Sequence, residues 1–113
     1  MVKSRALIIL PCSKMKNNLI NAQAIDLYNG PFYQILRKEK LKNVDLFIIS
    51  AKYGLIQSTE TISYYDQKMT LQRAEQLKKD IKMKMQTILA GDDYSDIYIN
   101  LGEIYMHAFF ESL

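Results

Sequence analysis

Three short apolar runs, separated by segments with helical spacing, limit what this chain can fold into more than any other feature. The runs lie at residues 5–10, 44–49 and 96–101, and each has the length of one buried strand. The middle run is apolar almost throughout, which is typical of a parallel strand covered on both faces. Strands that alternate with helices pair in parallel through right-handed crossovers. We therefore expect an α/β three-layer sandwich, with helices on both faces of a small, mostly parallel sheet of three to four strands.

The helical segments are expected at residues 22–28, from residue 31 onwards, at 70–90 and at 103–112. Asn29 and Gly30 have the composition of a left-handed stop for the first helix. On the second helix, Phe32, Ile35 and Leu36 are expected to face the core.

The longest helix, at residues 70–90, is indicated by apolar residues at three- and four-residue spacing, namely Leu71, Ala74, Leu77, Ile81, Met85 and Ile88. Residues 57–67 lack a clear period, and we interpret them as a covering loop. A fourth strand of the sheet is expected from residues 59–65 or from a partner chain.

The size and composition indicate one ordinary globular domain over residues 1–113. The single cysteine cannot form an internal disulfide, which favours a reducing compartment. The apolar run near the N-terminus is shorter than a signal-peptide core, and no stretch is long enough to span a membrane. We therefore expect a cytoplasmic protein without a membrane partner. The net charge of +3 permits an anionic partner but does not require one.

Two polar motifs directly follow the first two predicted strands. The first is Pro11-Cys12-Ser13-Lys14-Met15-Lys16, and the second is Ser50-Ala51-Lys52-Tyr53-Gly54-Leu55. Ligands of open parallel sheets bind where the carboxyl ends of the strands leave the sheet. Both motifs should therefore lie on one rim, together with Asn100 and Gly102 after the third strand.

The first motif suits an anion better than it suits catalysis. Ser13, Lys14 and Lys16 offer a hydroxyl, two ammonium groups and backbone N–H groups to a phosphate or a carboxylate. The loop lacks the glycine pattern of a nucleoside triphosphate or dinucleotide motif, so no cofactor is predicted. The alternative is a solvated basic loop, which is equally typical of such a sequence.

The second motif combines a cation, an aromatic ring and a turn. Lys52 could hold a phosphate, and Tyr53 could stack on a base or a sugar. Gly54 permits a tight backbone turn and the close approach of a ligand. The alternative is a tight turn after the strand, with Tyr53 as an ordinary residue of the rim.

Tyr65 and Asp66 are further candidates. Tyr65 could also stack on a base, and Asp66 could act as a general base or pair with Lys52 or Lys14. Alternatively, Asp66 caps a turn before the long helix. Asn100 could hydrogen-bond a base edge.

Cys12 could be a nucleophile only with a base beside it, and His107 is the one histidine of the chain. A small, packed cysteine is therefore the favoured interpretation of Cys12. His107 has no partner at metal-ligand spacing, so no metal site is predicted.

Four motifs in the same order resemble a family of small bacterial, archaeal and phage domains of unknown function. They are the Cys-Ser-Lys-x-Lys motif at residues 12–16, Leu27-Tyr28-Asn29-Gly30-Pro31-Phe32, the Ser-Ala-Lys-Tyr-Gly-Leu motif at 50–55, and Tyr65-Asp66. The likeness spans residues 8–105. More remotely, the first loop is similar to one in an accessory domain of archaeal tRNA-guanine transglycosylases and archaeosine synthases, and to peroxide-stress proteins that bind DNA. These resemblances imply work on nucleic acid or on modified nucleobases.

Three hypotheses follow. The first is a nucleotide or nucleic-acid binding domain that uses the rim, with chemistry at a nucleobase or a glycosidic bond as its enzymatic form and Asp66 as the catalytic candidate. The alternative is a non-catalytic interaction module, a homodimer formed through the apolar Phe109-Phe110 end. The third is a cysteine-dependent enzyme that uses Cys12.

Overall fold

The computed structural model describes residues 5–39, 42–91 and 93–109. The strands are β1 (Arg5–Pro11), β2 (Ala22–Gln23), β3 (Val44–Ser50), β4 (Gly54–Gln57), β5 (Thr61–Ile62) and β6 (Tyr94–Ile99). The helices are α1 (Ala24–Leu27), α2 (Pro31–Glu39), α3 (Leu71–Gly91) and α4 (Glu103–Phe109). The predicted α/β class is confirmed. Of the last predicted helix, residues 110–112 lie outside the described residues.

The main sheet has the strand order β4-β3-β1-β6. Strand β1 pairs in parallel with β3 and with β6, whereas β4 runs antiparallel to β3. The fourth strand therefore comes from the segment directly after the Gly54 turn and not from residues 59–65. Of that predicted segment, β5 pairs instead with β2 in a separate small ribbon.

Helices cover both faces of the sheet. Ile8 and Leu46 of the sheet share a cavity of about 340 Å³ with Ile25 of α1 and Leu36 of α2, so these two helices lie over one face. Leu7 points to the opposite face because side chains alternate along a strand, and it is fully buried. Helices α3 and α4 pack against each other, and α3 also packs against β4. In α3, the buried stripe is Ala74, Leu77, Ile81 and Met85.

The structure corrects three expectations about the helices. Residues 22–28 are split between β2 and a four-residue α1 that ends in extended backbone at Tyr28, so no left-handed stop forms at Gly30. On α2, Phe32 and Ile35 are exposed. Tyr33 is buried in their place because its hydroxyl donates a hydrogen bond to the carbonyl oxygen of Pro11, at 2.5 Å.

The long helix begins and ends one residue later than predicted, at Leu71 and Gly91. Its first apolar residue, Leu71, is exposed and not part of the buried stripe. The hydroxyl of Thr70 accepts a hydrogen bond from the backbone N–H of Arg73, at 3.1 Å, and caps the helix as its position in the sequence indicates. Within the described part of the chain, no helix is both long and apolar enough to cross a membrane.

Candidate functional site

The three parallel strands bring their carboxyl ends to one edge of the sheet. The register pairs Pro11 with Ile49 on one side of β1 and Ile9 with Ile99 on the other. The loops at residues 12–16, 50–54 and 100–102 therefore emerge side by side, and we call these three loops the rim. The sequence prediction that both motifs reach the same edge is confirmed.

The loop after β1 is held by the segment that follows α1. The backbone N–H of Asn17 donates to the carbonyl of Leu27, at 2.7 Å, and that of Asn29 donates to the carbonyl of Met15, at 2.8 Å. A Cβ atom on Gly30 would lie 2.8 Å from Oγ of Ser13. Glycine is thus favoured there by the close approach of the Ser13 side chain and not by a left-handed backbone.

Ser50 organises the turn after β3. Its hydroxyl is fully buried, donates to the hydroxyl of Tyr65 at 2.8 Å, and accepts from the backbone N–H groups of Lys52 and Tyr53 at 3.2 and 3.1 Å. Because these two N–H groups are already bonded, they are not available to a phosphate. The guanidinium of Arg73 closes the same turn from α3 by donating to the carbonyls of Ala51 and Lys52, at 2.7 and 2.8 Å.

Tyrosine side chains fill the space beneath the rim. The hydroxyls of Tyr28 and Tyr65 share a hydrogen bond of 2.7 Å, and the ring of Tyr28 lies 5.4 Å from that of Tyr33. The hydroxyl of Tyr105 lies 3.0 Å from Sγ of Cys12. Cys12 therefore packs against the core beside a phenol.

Burial raises the pKa of these phenols far above the ordinary value for tyrosine. Desolvation is the largest cause at Tyr28, Tyr33, Tyr65 and Tyr105, and the nearby Cys12 adds to it at each of them. The four hydroxyls remain protonated throughout the physiological range. They act as hydrogen-bonding groups that hold the rim and not as phenolate bases or nucleophiles.

The rim carries three lysines, and two of them lie over tyrosine rings. The ammonium of Lys16 is 4.6 Å from the centre of the Tyr65 ring, and that of Lys52 is 5.3 Å from the centre of the Tyr53 ring. The two rings meet edge to face with centres 5.6 Å apart. Lys14, in the same loop as Lys16, is exposed. Among the described residues, these three lysines have no acidic ion-pair partner.

A small cleft opens next to the lysines. It has a volume of about 190 Å³, and Cys12, Ser13, Phe32, Tyr33 and Asn100 are among its lining residues. Asn100 is held there by its backbone N–H, which donates to the carbonyl of Ile9 at 3.1 Å, while its side chain remains exposed. The cleft thus joins the first and third loops of the rim.

Three further candidates from the sequence, Gly54, Gly102 and Asp66, are not part of the lysine and tyrosine contacts described above. Gly54 adopts a φ of +76°, which a side chain would disfavour, and it is buried against α3, with Leu77 3.5 Å from the position of a Cβ atom. Gly102 directly precedes α4, and its carbonyl accepts the N–H of Met106 at 2.8 Å. Asp66 is exposed and pairs with neither Lys52 nor Lys14.

The structure also tests the hypotheses built on Cys12 and on the last helix. His107, the base that a cysteine nucleophile would need, contacts Glu75 of α3 instead. Phe109 is buried, so its side chain is not available to a second copy, and Phe110 lies outside the described residues. Among the described residues, no group of three acidic, histidine or cysteine side chains is placed to hold a metal.

Sequence reasoning missed the residues that support the rim, namely Tyr28, Tyr33, Ser50 and Tyr105. Tyr28 and Ser50 lie inside the recognised motifs, and their place in those motifs could have marked them as candidates. Nothing in the local sequence marks Tyr33 or Tyr105, because their roles depend on the Pro11 carbonyl and the Cys12 thiol, which are distant in the sequence.

The fold and the rim define a small α/β domain with an aromatic, lysine-bearing edge at the carboxyl ends of its parallel strands. The chain belongs to the family of unknown function DUF6884, whose model matches residues 7–113. No curated protein and no solved structure matches the chain significantly.

Proposed function

We propose that the rim binds the phosphate of a nucleotide or of a nucleic acid. The observation that carries this proposal is the set of three lysines, Lys14, Lys16 and Lys52, on one edge of the sheet without an acidic partner among the described residues. Ammonium groups that are not neutralised within the protein favour an anionic ligand. The ammonium groups of Lys16 and Lys52 lie over tyrosine rings, so charged and apolar groups are adjacent at this surface. Such a surface suits a ligand that has both a charge and a ring.

We infer different roles for the candidate residues in this proposal. Lys14, Lys16 and Lys52 contact phosphate, and Asn100 contacts a base edge in the cleft. Tyr65 lies beneath the surface of the rim, because it is only 5% exposed and its hydroxyl is hydrogen-bonded to Ser50 and Tyr28. It positions Lys16 and does not stack on a base.

Removal of two lysines tests the binding function. Lys14→Ala combined with Lys52→Ala should weaken binding of a fluorescent single-stranded 12-mer and reduce its dependence on salt, by roughly 1 to 2 units in the slope of log K against log salt. Lys38→Ala combined with Lys42→Ala is the matched control, since both residues are exposed outside the rim and the charge change is the same. Equal affinity and an equal slope for the rim variant and the wild type would reject the proposal.

The enzymatic form of the proposal gives Asp66 the role of activating water at a nucleobase or a glycosidic bond. Its carboxylate is exposed, directly follows Tyr65 in the chain, and is unpaired among the described residues, so it is available as a base. Release of a free base from an oligonucleotide, measured by chromatography, tests this role.

A second candidate function is an interaction module that forms a homodimer, and the outer edge of β6 favours it. Strand β6 is the last strand of the sheet, and its Ile97 and Tyr98 are 40% and 58% exposed. Exposed apolar edge strands are templates for pairing with another chain. Light scattering at high protein concentration tests this function, and a strictly monomeric protein would exclude a homodimer.

A further inference from the structure

Two aromatic residues near the first loop of the rim are exposed, although aromatic side chains usually contribute to the core. Phe32 of α2 is 49% exposed and Tyr64 is 46% exposed. Both positions are in segments tied firmly to the rest of the molecule. The two rings are therefore exposed on an ordered surface of the protein, and this exposure needs an explanation.

The two residues are close to different parts of the loop between β1 and β2, residues 12–21, which carries Lys14 and Lys16 and which we call the lysine loop. Phe32 lines the cleft together with Ser13, the residue before Lys14. The backbone N–H of Tyr64 donates to the carbonyl of Leu19 at 2.9 Å, near the other end of the loop. Tyr64 also directly precedes Tyr65, the residue whose ring the Lys16 ammonium contacts. Each exposed ring is thus close to a segment that carries or contacts one of the two lysines.

The lysine loop is held in place by hydrogen bonds within the protein before any ligand binds. Asn17 is fixed twice, by its backbone N–H to Leu27 at 2.7 Å and by its side-chain amide to the carbonyl of Asp26 at 2.8 Å. Asn21 donates its backbone N–H to the hydroxyl of Ser63 at 3.1 Å, which ties the end of the loop to the segment of Tyr64. A binding surface of this kind loses little conformational entropy when it engages a ligand.

We propose that the rim binds a single-stranded nucleic acid, whose bases stack on Phe32 and Tyr64 while its phosphates contact Lys14 and Lys16. This inference rests on the proposed phosphate-binding function and adds the class of ligand. Aromatic platforms beside a positively charged track are the usual means of binding single strands without sequence preference. A free nucleotide has one base and can use one ring, whereas a duplex has its bases stacked on one another and can use neither.

The central comparison is between two single strands that have the same backbone charge, one with bases and one without, and a duplex and a mononucleotide serve as further probes. A fluorescent oligo(dT) 12-mer should bind more tightly than an abasic 12-mer, and more tightly than a duplex of the same length or a mononucleotide. Phe32→Ala and Tyr64→Ala should each weaken oligo(dT) binding by about 5- to 150-fold, the range for loss of one stacked base. Neither change should alter the affinity for the abasic 12-mer, because the lysines remain.

Matched variants separate stacking from folding. Ile35→Ala removes another exposed apolar side chain of α2, 58% exposed and outside the cleft lining, and should leave all affinities unchanged. Phe32→Tyr keeps a ring and should retain the preference for oligo(dT) over the abasic strand. An oligo(U) 12-mer tests RNA against DNA, and a glutamate 12-mer tests whether any acidic polymer is sufficient.

The outcomes distinguish this inference from the proposal on which it rests. Equal binding of oligo(dT) and the abasic strand, or tighter binding of the duplex, of the mononucleotide or of the glutamate peptide, would overturn the single-strand inference. So would unchanged oligo(dT) binding by both alanine variants. Phosphate binding by the lysines would survive the abasic, duplex and mononucleotide results, and it fails separately if the Lys14 and Lys52 variant binds as the wild type does.

Discussion

The two ends of the sheet differ in whether their charged side chains are paired within the protein. At the amino ends of the strands, the Arg5 guanidinium contacts the Asp45 carboxylate, which also accepts a hydrogen bond of 2.7 Å from the Tyr94 hydroxyl. At the carboxyl ends, Lys14 and Lys52 have no acidic partner among the described residues. The first end uses charge to join three strands, whereas the second leaves charge available to a ligand.

The difference indicates where mutations should reduce stability and where they should reduce binding. Below the rim, the buried tyrosine and serine hydroxyls form hydrogen bonds with one another and with backbone groups, and this layer supports the loops that carry the lysines. Substitutions in that layer and in the Asp45 cluster should therefore act on the free energy of unfolding, and substitutions of the surface groups should act on the ligand.

The largest effect on stability is expected for Ser50→Ala. The change removes the hydrogen bond that the hydroxyl of Tyr65 accepts, although its bond to Tyr28 remains, and it leaves the buried turn without the acceptor for the backbone N–H groups of Lys52 and Tyr53. The free energy of unfolding should fall by about 3 kcal/mol, measured by urea denaturation. Ser13→Ala is the control, since Ser13 is half-buried and outside this network, and it should lose less than 1 kcal/mol. Equal losses in the two variants would show that Ser50 does not organise the turn.

Asp45→Asn should be the next most destabilising change, at about 2 kcal/mol near pH 7. Partial burial opposes ionisation of Asp45, but hydrogen bonds from Arg5 and Tyr94 and the charge of Arg5 outweigh it and lower the pKa of the carboxyl below its ordinary value. A lowered folded-state pKa stabilises the fold above the unfolded value, near pH 4, and this contribution is lost as the pH falls through the folded value.

Urea titrations from pH 7 to pH 3 measure that dependence. The difference between the wild type and Asp45→Asn should shrink towards the acid end, because the wild-type carboxyl also becomes neutral there. Asp93→Asn, at an exposed aspartate, is the matched control for the loss of one carboxylate. A difference that is constant with pH would show that the carboxylate charge does not stabilise this end of the sheet.

Gly30→Ala is expected to cost about 1 kcal/mol, because the added methyl group would meet Oγ of Ser13. Ser13→Ala in the same chain should restore most of the loss, since it removes the atom in contact. Gly91→Ala is a suitable control, as nothing lies within 4 Å of its added Cβ. A double-mutant cycle from thermal or urea unfolding measures the coupling, and additive losses would argue against this contact.

The smallest effect on stability is expected for Asp66→Asn, within about 0.5 kcal/mol, because the side chain is exposed. Its affinity for a single-stranded 12-mer should equal that of the wild type or rise slightly as a negative charge is removed. In the enzymatic form of the proposal, release of the base should be lost. Wild-type release by this variant would remove Asp66 from the chemistry and leave the binding function intact.

Part of this site followed directly from local sequence patterns. Two strands rich in apolar residues, each followed by polar residues, were sufficient to predict a common rim, because parallel strands share a carboxyl edge. The motifs also contain Ser50 and Gly30, but the sequence indicates no role for Ser50, and for Gly30 it indicates a left-handed stop that does not form. Gly30 accommodates the Ser13 side chain, and Ser50 bonds to the turn and to Tyr65.

Helix α2 shows where local patterns are insufficient. Phe32 and Ile35 have the spacing of a buried face, yet Tyr33 occupies the interior because its ring packs on Tyr28 and its hydroxyl reaches the carbonyl of Pro11. In a nine-residue helix, a rotation of about 100° around the axis, the angle between consecutive residues, puts Tyr33 in the position of Phe32, and the choice depends on partners far away in the sequence. The exposed Phe32 in the cleft beside the rim is a consequence of that choice.

The sequence by itself determined the α/β class, the parallel strands and the edge at which a site could form, since these depend on hydrophobic period and on turn residues within short segments. The tertiary structure decided that the fourth strand is β4, that Tyr65 lies beneath Lys16, and that Phe32 and Tyr64 are exposed. Those outcomes depend on pairing and burial between distant residues. Local propensity does not encode them, because the same side chain gains or loses free energy according to the neighbours that the fold supplies.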